Sequence, residues 1–481
     1  MADGLDRRFG RLLRMVGARG SALAALLALV LLTSVWLQRR HLEPPPIGVV
    51  LITLDTTRAD RLSAYGFMDI SMPNVDRLAR EGVVFDQATS VAPLTLPAHT
   101  SLFTGLFPPR HGVRYNADAP LAAEQTTLAE ILRAQGYKTA AFVGSVVLDS
   151  DRGLCQGFDQ YGGVVADDRP LVPRLYRQAD AVVSEAARWL DGVGGSHFFL
   201  WTHLYDPHRP YEPPEPFRSQ YAHDPYVGEI AYVDSQIGRL LDVLERHHLL
   251  DRTIVIVAGD HGESLGEHGE RDHGIFVYES VLRVPLIIRA PAVAPRRIDA
   301  VVRLTDVMPT VLNLLGVPAP PVDGVSLSDL MRGTGRDPNL NAYSESQYPQ
   351  RLGWSALSAL RDGSFKLIDA PRPELYDLEH DPFEQRNIYH EQPAVAEALT
   401  RRLAALAHSA DRANANEPVV VRPGLREQLA ALGYVGLGPV RAPLDGKRLP
   451  DPKDCIGPYY ARQQAANGVV AFGEMRCQSV P

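Results

Sequence analysis

Cysteine is scarce in this chain: three among 481 residues, at 155, 455 and 477, and no Cys-x-x-Cys pair. A thiolate zinc site and a disulfide-built scaffold are therefore excluded. Cys455 and Cys477 stand 22 residues apart in a Pro/Gly-bearing tail and are the pair an exported protein would oxidise, leaving Cys155 as a small buried hydrophobe. Positive charge is in deficit: 49 Lys and Arg against 57 Asp and Glu give a net charge of -8, which argues against nucleic acid as a partner. Internal repeats are absent. Long apolar runs are missing with one exception, Gly20 to Gln38, 19 residues without a charge and enough to span a bilayer. Arg7, Arg8, Arg11, Arg14 and Arg19 precede it, against Arg39 and Arg40 after it, and Trp36 suits the interfacial belt. The pattern predicts a cytoplasmic N-terminus (1–19), a single-pass anchor in the cell membrane (20–38) and a linker (39–46) stiffened by Pro44, Pro45 and Pro46. The remainder then lies on the periplasmic or extracellular side. A cleavable signal peptide is the alternative, but no small-x-small site precedes Arg39.

What the chain does have is alternation. Apolar, β-branched runs at 47–54, 138–144, 197–204, 253–258 and 284–288 alternate with helical patterns at 125–135, 179–191, 226–247 and 304–315. In 226–247, Ile230, Val233, Ile237, Leu240, Leu241 and Leu244 recur at three- and four-residue steps. The order predicts an α/β fold with a doubly wound, mostly parallel sheet over 47–340. Beyond 340, short strands (354–360, 365–368), the turn Asp362-Gly363 and a closing helix at 395–407 predict a small antiparallel subdomain over 341–410. Residues 411–481, Pro-rich and weakly periodic, read as an extended tail.

Two buried strands end in hard-cation ligands: 47–54 runs into Asp55, and 253–258 runs into Asp260-His261-Gly262-Glu263. In open parallel sheets, ligands gather outside the carboxyl ends of the strands, so both carboxylates can reach one crevice. Thr95 stands two residues before Pro97, a residue suited to a first helical turn, which puts Thr95 near a helix N-terminus where an anion is favoured. Capping alone would account for a Thr there. A divalent cation beside Asp55, Asp260 and His261 would instead make Thr95 a nucleophile, because coordination lowers the pKa of a hydroxyl.

These residues carry a resemblance. Asp55-Thr-Thr-Arg-Ala-Asp60, Thr95-Leu-Pro-Ala-His99 and Gly259-Asp-His-Gly-Glu263 resemble the alkaline phosphatase superfamily, and its sulfatase branch most. Asp206-Pro-His-Arg-Pro-Tyr211, Arg283-Val-Pro-Leu-Ile-Ile288, Asp306-Val-Met-Pro-Thr310 and Leu375-Tyr-Asp-Leu-Glu-His-Asp-Pro382 extend the likeness, in order, over roughly 46–400. It implies hydrolysis of sulfate or phosphate esters at a metal centre. Sulfatases carry Cys or Ser where Thr95 stands, followed by x-Pro-x-Arg, and oxidise it to formylglycine. Thr cannot give an aldehyde, and His99 replaces the Arg. That loop resembles the nucleotide pyrophosphatase/phosphodiesterase branch, whose nucleophile is Thr and which places an Asn, here Asn116, as a donor to the transferring group.

The resemblance implies a metal set of Asp55, Thr95, Asp260 and His261, whose mixed O and N ligands suit Zn²⁺ or Mn²⁺ better than Ca²⁺, which is open. Thr56 stands where sulfatases usually have a second Asp. Asp206, His208 and His273 are expected to hold a second ion; alternatively, and preferred, His208 and His273 contact the ester's anionic oxygens directly and one of them protonates the leaving group. His203, His247, His248 and His268 are expected to be structural or solvated. The expected mechanism is in-line attack by metal-bound Thr95 through a covalent ester, which must then be cleaved at phosphorus or sulfur, so phosphate mono- and diesters are favoured. Substrates of that chemistry are small molecules, glycans or lipid headgroups. The rival expectations are a phosphoethanolamine- or glycerophosphate-type transferase and a binding module that kept the fold without turnover.

Overall fold

The computed structural model describes residues 46–117, 119–164, 175–408 and 449–465. The expected anchor at 20–38 and most of the expected tail lie outside them. Among the described residues no helix is long and apolar enough to cross a membrane.

Eight strands build the main sheet: β1 (Gly48–Leu54), β2 (Val83–Thr89), β3 (Lys138–Val143), β4 (Gln160–Gly162), β5 (Phe198–Leu204), β6 (Thr253–Gly259), β7 (Leu286–Arg289) and β8 (Arg296–Arg303). Their order is β4-β3-β5-β1-β6-β7-β2-β8. β1 is parallel to both neighbours, β5 and β6, and only β7 runs against the strands beside it. Every residue of β1, β5 and β6 is buried. Their side chains alternate between two cores, as a period of two requires. Val49 and Leu51 of β1 join the core beneath the helices Thr95–Thr104 and Val307–Leu314. Val50, Ile52 and Leu54 join the other, beneath Pro73–Glu81, Ala179–Asp191 and Pro225–Arg246.

The long strands and helices fall close to where the pattern puts them, and Ala179–Asp191 matches residue for residue. The helix expected at 125–135 is shorter, Leu128–Ala134, because Thr127 and Glu130 form a capping box that fixes its start. The pattern does not disclose β2, β4, β8 or Pro73–Glu81. β2 turns polar at Asp86 and Gln87, where its register with β8 shifts, and β8 is an edge strand bearing Arg296, Arg297 and Asp299.

The second sheet is antiparallel, in the order β12-β11-β10-β9 over β9 (Asn341–Ser346), β10 (Leu357–Asp362), β11 (Phe365–Asp369) and β12 (Glu374–Asp377). Tyr343, Leu360, Leu367 and Leu375 pack under Ala396, Leu399 and Leu403 of the helix Pro393–His408, together with Val91 and Ala92 from the main domain. Glu345 N donates to Val91 O at 2.9 Å and Ser344 Oγ to Ser90 O at 2.6 Å, so the small sheet is fastened to the segment that leads into Thr95.

The extended tail expected over 411–481 is corrected in part: Pro452–Ala465 is a helix. Its buried Cys455, Ile456, Tyr459 and Tyr460 join the main core. Gly457 and Pro458, which read as breakers, are accommodated within it. Cys455 is disulfide-bonded, with its partner outside the described residues, and Cys155 is free and half-buried, short of the full burial expected.

Candidate active site and metal centre

Strands β1, β5 and β6 end at one edge of the sheet, and β2 delivers the next loop to the same edge. Four side chains meet there. Asp55 and Asp260 follow β1 and β6 directly, His261 follows Asp260, and Thr95 opens the helix reached from β2. All four are buried at 1 % exposure or less.

Backbone features set their directions. Thr56 takes a left-handed φ of 48°, costly for a β-branched residue, and its N–H donates to Asp260 Oδ1 at 3.2 Å while its hydroxyl donates to Pro207 O at 2.7 Å. His261 N donates to the same Asp260 Oδ1 at 2.7 Å. Gly262 lies against the Ser280 carbonyl so closely that a Cβ would overlap it, which accounts for the glycine after His261.

Asp260 Oδ2 and both carboxylate oxygens of Asp55 are buried without a hydrogen-bond partner among the described residues. Burial raises the pKa of both groups, and for Asp260 the neighbouring Asp55 adds to the rise. The histidine beside them does not help as a donor. His261 Nδ1 lies 3.0 Å from Gly262 O, a pure acceptor, so Nδ1 carries the proton and Nε2 is a bare lone pair. That lone pair sits 3.6 Å from Asp55 Oδ1, 3.6 Å from Asp260 Oδ2 and 3.3 Å from Thr95 Oγ1. Asp55 Oδ1, Asp260 Oδ2 and the His261 Nε2 lone pair, converging in a dry site, repel one another unless a cation lies between them, and the three residues are close enough to share one ion. The residues fit a divalent metal.

Thr95 is the first residue of its helix, whose N-cap, Leu94, makes no side-chain bond. Its hydroxyl instead meets His261 Nε2 at 3.3 Å, so capping does not account for it. Asn116 Oδ1 accepts from Leu96 N at 2.9 Å, and Asn116 Nδ2 is buried without a partner among the described residues. His99 belongs to the scaffold. Its Nδ1 donates to Thr95 O at 2.8 Å, its Nε2 accepts from Thr53 Oγ1 at 2.9 Å, and Trp201 Nε1 donates to that same hydroxyl at 2.9 Å.

His208 and His273 flank the cluster. The His273 ring lies 4.5 Å from that of His261 and 5.0 Å from that of His208, centre to centre. His273 Nδ1 pairs with Glu263 Oε1 at 3.0 Å, and Tyr211 donates to Glu263 Oε2 at 2.8 Å. His208 Nδ1 faces Arg209 O at 2.7 Å and Tyr205 Oη at 2.8 Å, and burial brings its pKa down to about 4. Asp206 is not brought to the cluster. Its Oδ2 accepts from Ala179 N at 2.8 Å, the start of a helix packed on the sheet, and burial lifts its pKa to about 7. Among the described residues, Asp206, His208 and His273 form no set close enough to share an ion. His203, which the sequence alone leaves as structural or solvated, stands at the carboxyl end of β5 beside Asp55, its Nε2 3.3 Å from Asp55 Oδ2. The only signal in the sequence is a histidine near the end of an otherwise apolar strand.

The family model described as Sulfatase matches residues 48–317, more than half of the chain and the whole of this edge. The chain belongs to the sulfatase family. A second model, the C-terminal region of N-sulphoglucosamine sulphohydrolase, matches 266–409 and so takes in the small sheet. As a sulfatase-family member the protein is an ester hydrolase, in a family that generally uses a divalent metal. Among its relatives is the ulvan-active sulfatase of Formosa agariphila, 26% identical over 399 residues and covering 72% of this chain and 78% of that one. Arylsulfatase A of Homo sapiens is 26% identical over 429 residues, covering 71% and 82%. Among solved structures, the phosphonate monoester hydrolase of Agrobacterium radiobacter superposes with a TM-score of 0.65 at 23% identity, covering 76% of this chain and 96% of that one. A structure in complex with its substrate D-glucosamine-2-N,6-O-disulfate gives 0.66 at 23% identity, covering 78% and 100%. The mixed α/β fold with a separate four-stranded sheet is shared with these structures.

Proposed function

We propose that this sulfatase-family hydrolase uses Thr95 as its nucleophile and acts on phosphate mono- and diesters ahead of sulfate esters. Asp55, Thr95, Asp260 and His261 would hold a divalent cation, Zn²⁺ or Mn²⁺ on the mixed O and N donor set. When bound, such an ion lowers the pKa of a hydroxyl and offsets charge on an ester oxygen. Thr95 Oγ1, its hydroxyl proton released to solvent, attacks phosphorus in line. The bond to Thr95 forms as the bond to the leaving oxygen breaks, and His208 or His273 gives that oxygen a proton. Asn116 Nδ2 donates to an equatorial oxygen, and the adjoining helix end favours the added charge. Water then attacks phosphorus and releases Thr95. A formylglycine hydrate could eliminate sulfate instead, a route closed to a secondary alcohol that bears a methyl. On residues 20–38 and the flanking arginines, we further propose a single-pass membrane anchor with the catalytic domain on the periplasmic or extracellular side.

The observation that carries this reading is the Thr95 hydroxyl, buried, free of any capping role and turned toward His261 Nε2. Purified full-length protein assayed with p-nitrophenyl phosphate, bis-p-nitrophenyl phosphate and p-nitrophenyl sulfate, stripped and then given Zn²⁺ or Mn²⁺, tests it. Metal-dependent release from a phosphate ester is expected to exceed that from the sulfate. A preference for sulfate, or phosphate release by stripped enzyme at the full rate, overturns it.

A further inference from the structure

His203 is fully buried, and neither ring nitrogen has a hydrogen-bond partner among the described residues. An imidazole always carries at least one N–H when neutral, and leaving a buried donor unmade costs about 1–3 kcal/mol. Its neighbours narrow the choice of acceptor. His99 stands edge-on at 5.0 Å between ring centres, but both His99 nitrogens are already committed, to Thr95 O and to Thr53. Asp55 Oδ2, itself without a partner, lies 3.3 Å from His203 Nε2. The other oxygen, Oδ1, faces His261.

We propose that His203 is a positioning residue for Asp55: its Nε2–H donates to Oδ2 and so turns Oδ1 toward the cation. The division is geometric. β5 and β1 run side by side with His203 opposite Thr53, so a side chain at 203 reaches Asp55 Oδ2 from the β5 side, while His261 meets Oδ1 from the end of β6. The two atoms already stand 3.3 Å apart, each without another partner among the described residues. His203 thereby acts on the ion through Asp55 and does not ligate it, and the tautomer it needs, Nε2–H, leaves only a bare Nδ1 acceptor unpaired.

This rests on the metal reading proposed above, and the test separates the two. Mn²⁺ and Zn²⁺ binding to the full chain is measured by calorimetry for wild type, His203→Leu and His203→Gln. Loss of an outer partner of this kind weakens metal affinity about 10–100-fold, and that is expected of His203→Leu. His203→Gln, whose amide N–H reaches the position of Nε2, is expected to recover most of the affinity, which a merely space-filling role would not produce. Affinity in His203→Leu equal to wild type overturns the proposal and leaves the metal reading intact, whereas wild type that binds neither ion overturns the metal reading itself. Should His203→Leu fail to fold, ¹⁵N spectra of histidine-labelled wild type decide. On adding Zn²⁺, His203 is expected to retain its Nε2 proton while the His261 nitrogens shift as a ligand's do, and loss of the His203 proton to the metal overturns the positioning role.

Discussion

Thr95 carries its hydroxyl on a branched carbon in a site where its side-chain oxygen caps no backbone group. Thr95→Ala therefore removes the attacking oxygen and no structural bond beyond the 3.3 Å approach to His261. Turnover is expected to fall by up to about 10⁶-fold, the scale seen when a nucleophile is deleted, while the thermal melt stays close to wild type. Initial rates on bis-p-nitrophenyl phosphate alongside differential scanning fluorimetry check both halves, and a variant that keeps a substantial rate removes Thr95 from the mechanism. At this scale Asp55, Asp260 and His261 were legible because each closes an apolar strand, where a polar residue is conspicuous. His203 was not. What distinguishes it is the lack of a partner for either ring nitrogen among the described residues, and that is a property of neighbours 148 to 150 positions away, around Asp55 and Thr53. Asp206 illustrates the reverse error, since its motif suggested a ligand and the fold spends its carboxylate on the start of Ala179–Asp191.

Among the elements, Leu128–Ala134 owes its start to a reciprocal pair, Glu130 N donating to Thr127 Oγ1 at 3.2 Å and Thr127 N to Glu130 Oε2 at 2.9 Å. Thr127→Ala is expected to lower stability by about 1 kcal/mol, read as a shift in the denaturant midpoint, with activity unchanged. The helix Pro225–Arg246 supplies a pH-dependent case. Glu229 is buried beside Asp206, and burial first, then Asp206, raises its pKa to about 8. A folded-state pKa above the unfolded one means that the native protein binds the proton more tightly, so the stability contributed is full below about pH 4 and is lost as pH rises through 8. Glu229→Gln keeps the shape without the ionisation. Its melting temperature relative to wild type is expected to rise between pH 5 and pH 8, and a difference constant with pH excludes the effect. Helices with continuous stripes were readable because nothing interrupts them. Pro452–Ala465 has the right buried spacing in Cys455, Ile456, Tyr459 and Tyr460, but Gly457 and Pro458 stand between them, and only tertiary packing overrides such breakers.

For the whole molecule, the Asp55–Asp260 edge is a place where folding is opposed until charge is neutralised. A ligand that binds only the native state stabilises it by about 2.7 kcal/mol at a hundredfold excess over its dissociation constant. Chelation is accordingly expected to lower the melting temperature, and Mn²⁺ or Zn²⁺ to restore it, in scans with and without EDTA. No change would mean that the edge tolerates its carboxylates bare. One architectural detail bears on how that edge is kept in shape. Tyr460, from the helix beyond the small sheet, donates to Asp272 Oδ1 at 2.5 Å, accepts from Arg271 N at 3.1 Å and lies under the Arg271 guanidinium at 5.4 Å. Asp272 adjoins His273. Arg372 holds the same helix through Asp454, at 2.8 Å and 3.0 Å. The segment that carries His273 is thus held by a helix that adds no side chain to the Asp55, Asp260 and His261 cluster. Under the mechanism proposed above, loss of the Tyr460–Asp272 bond is expected to displace His273 while Asp55, Asp260 and His261 keep their places, so that turnover falls without loss of metal-dependent stabilisation.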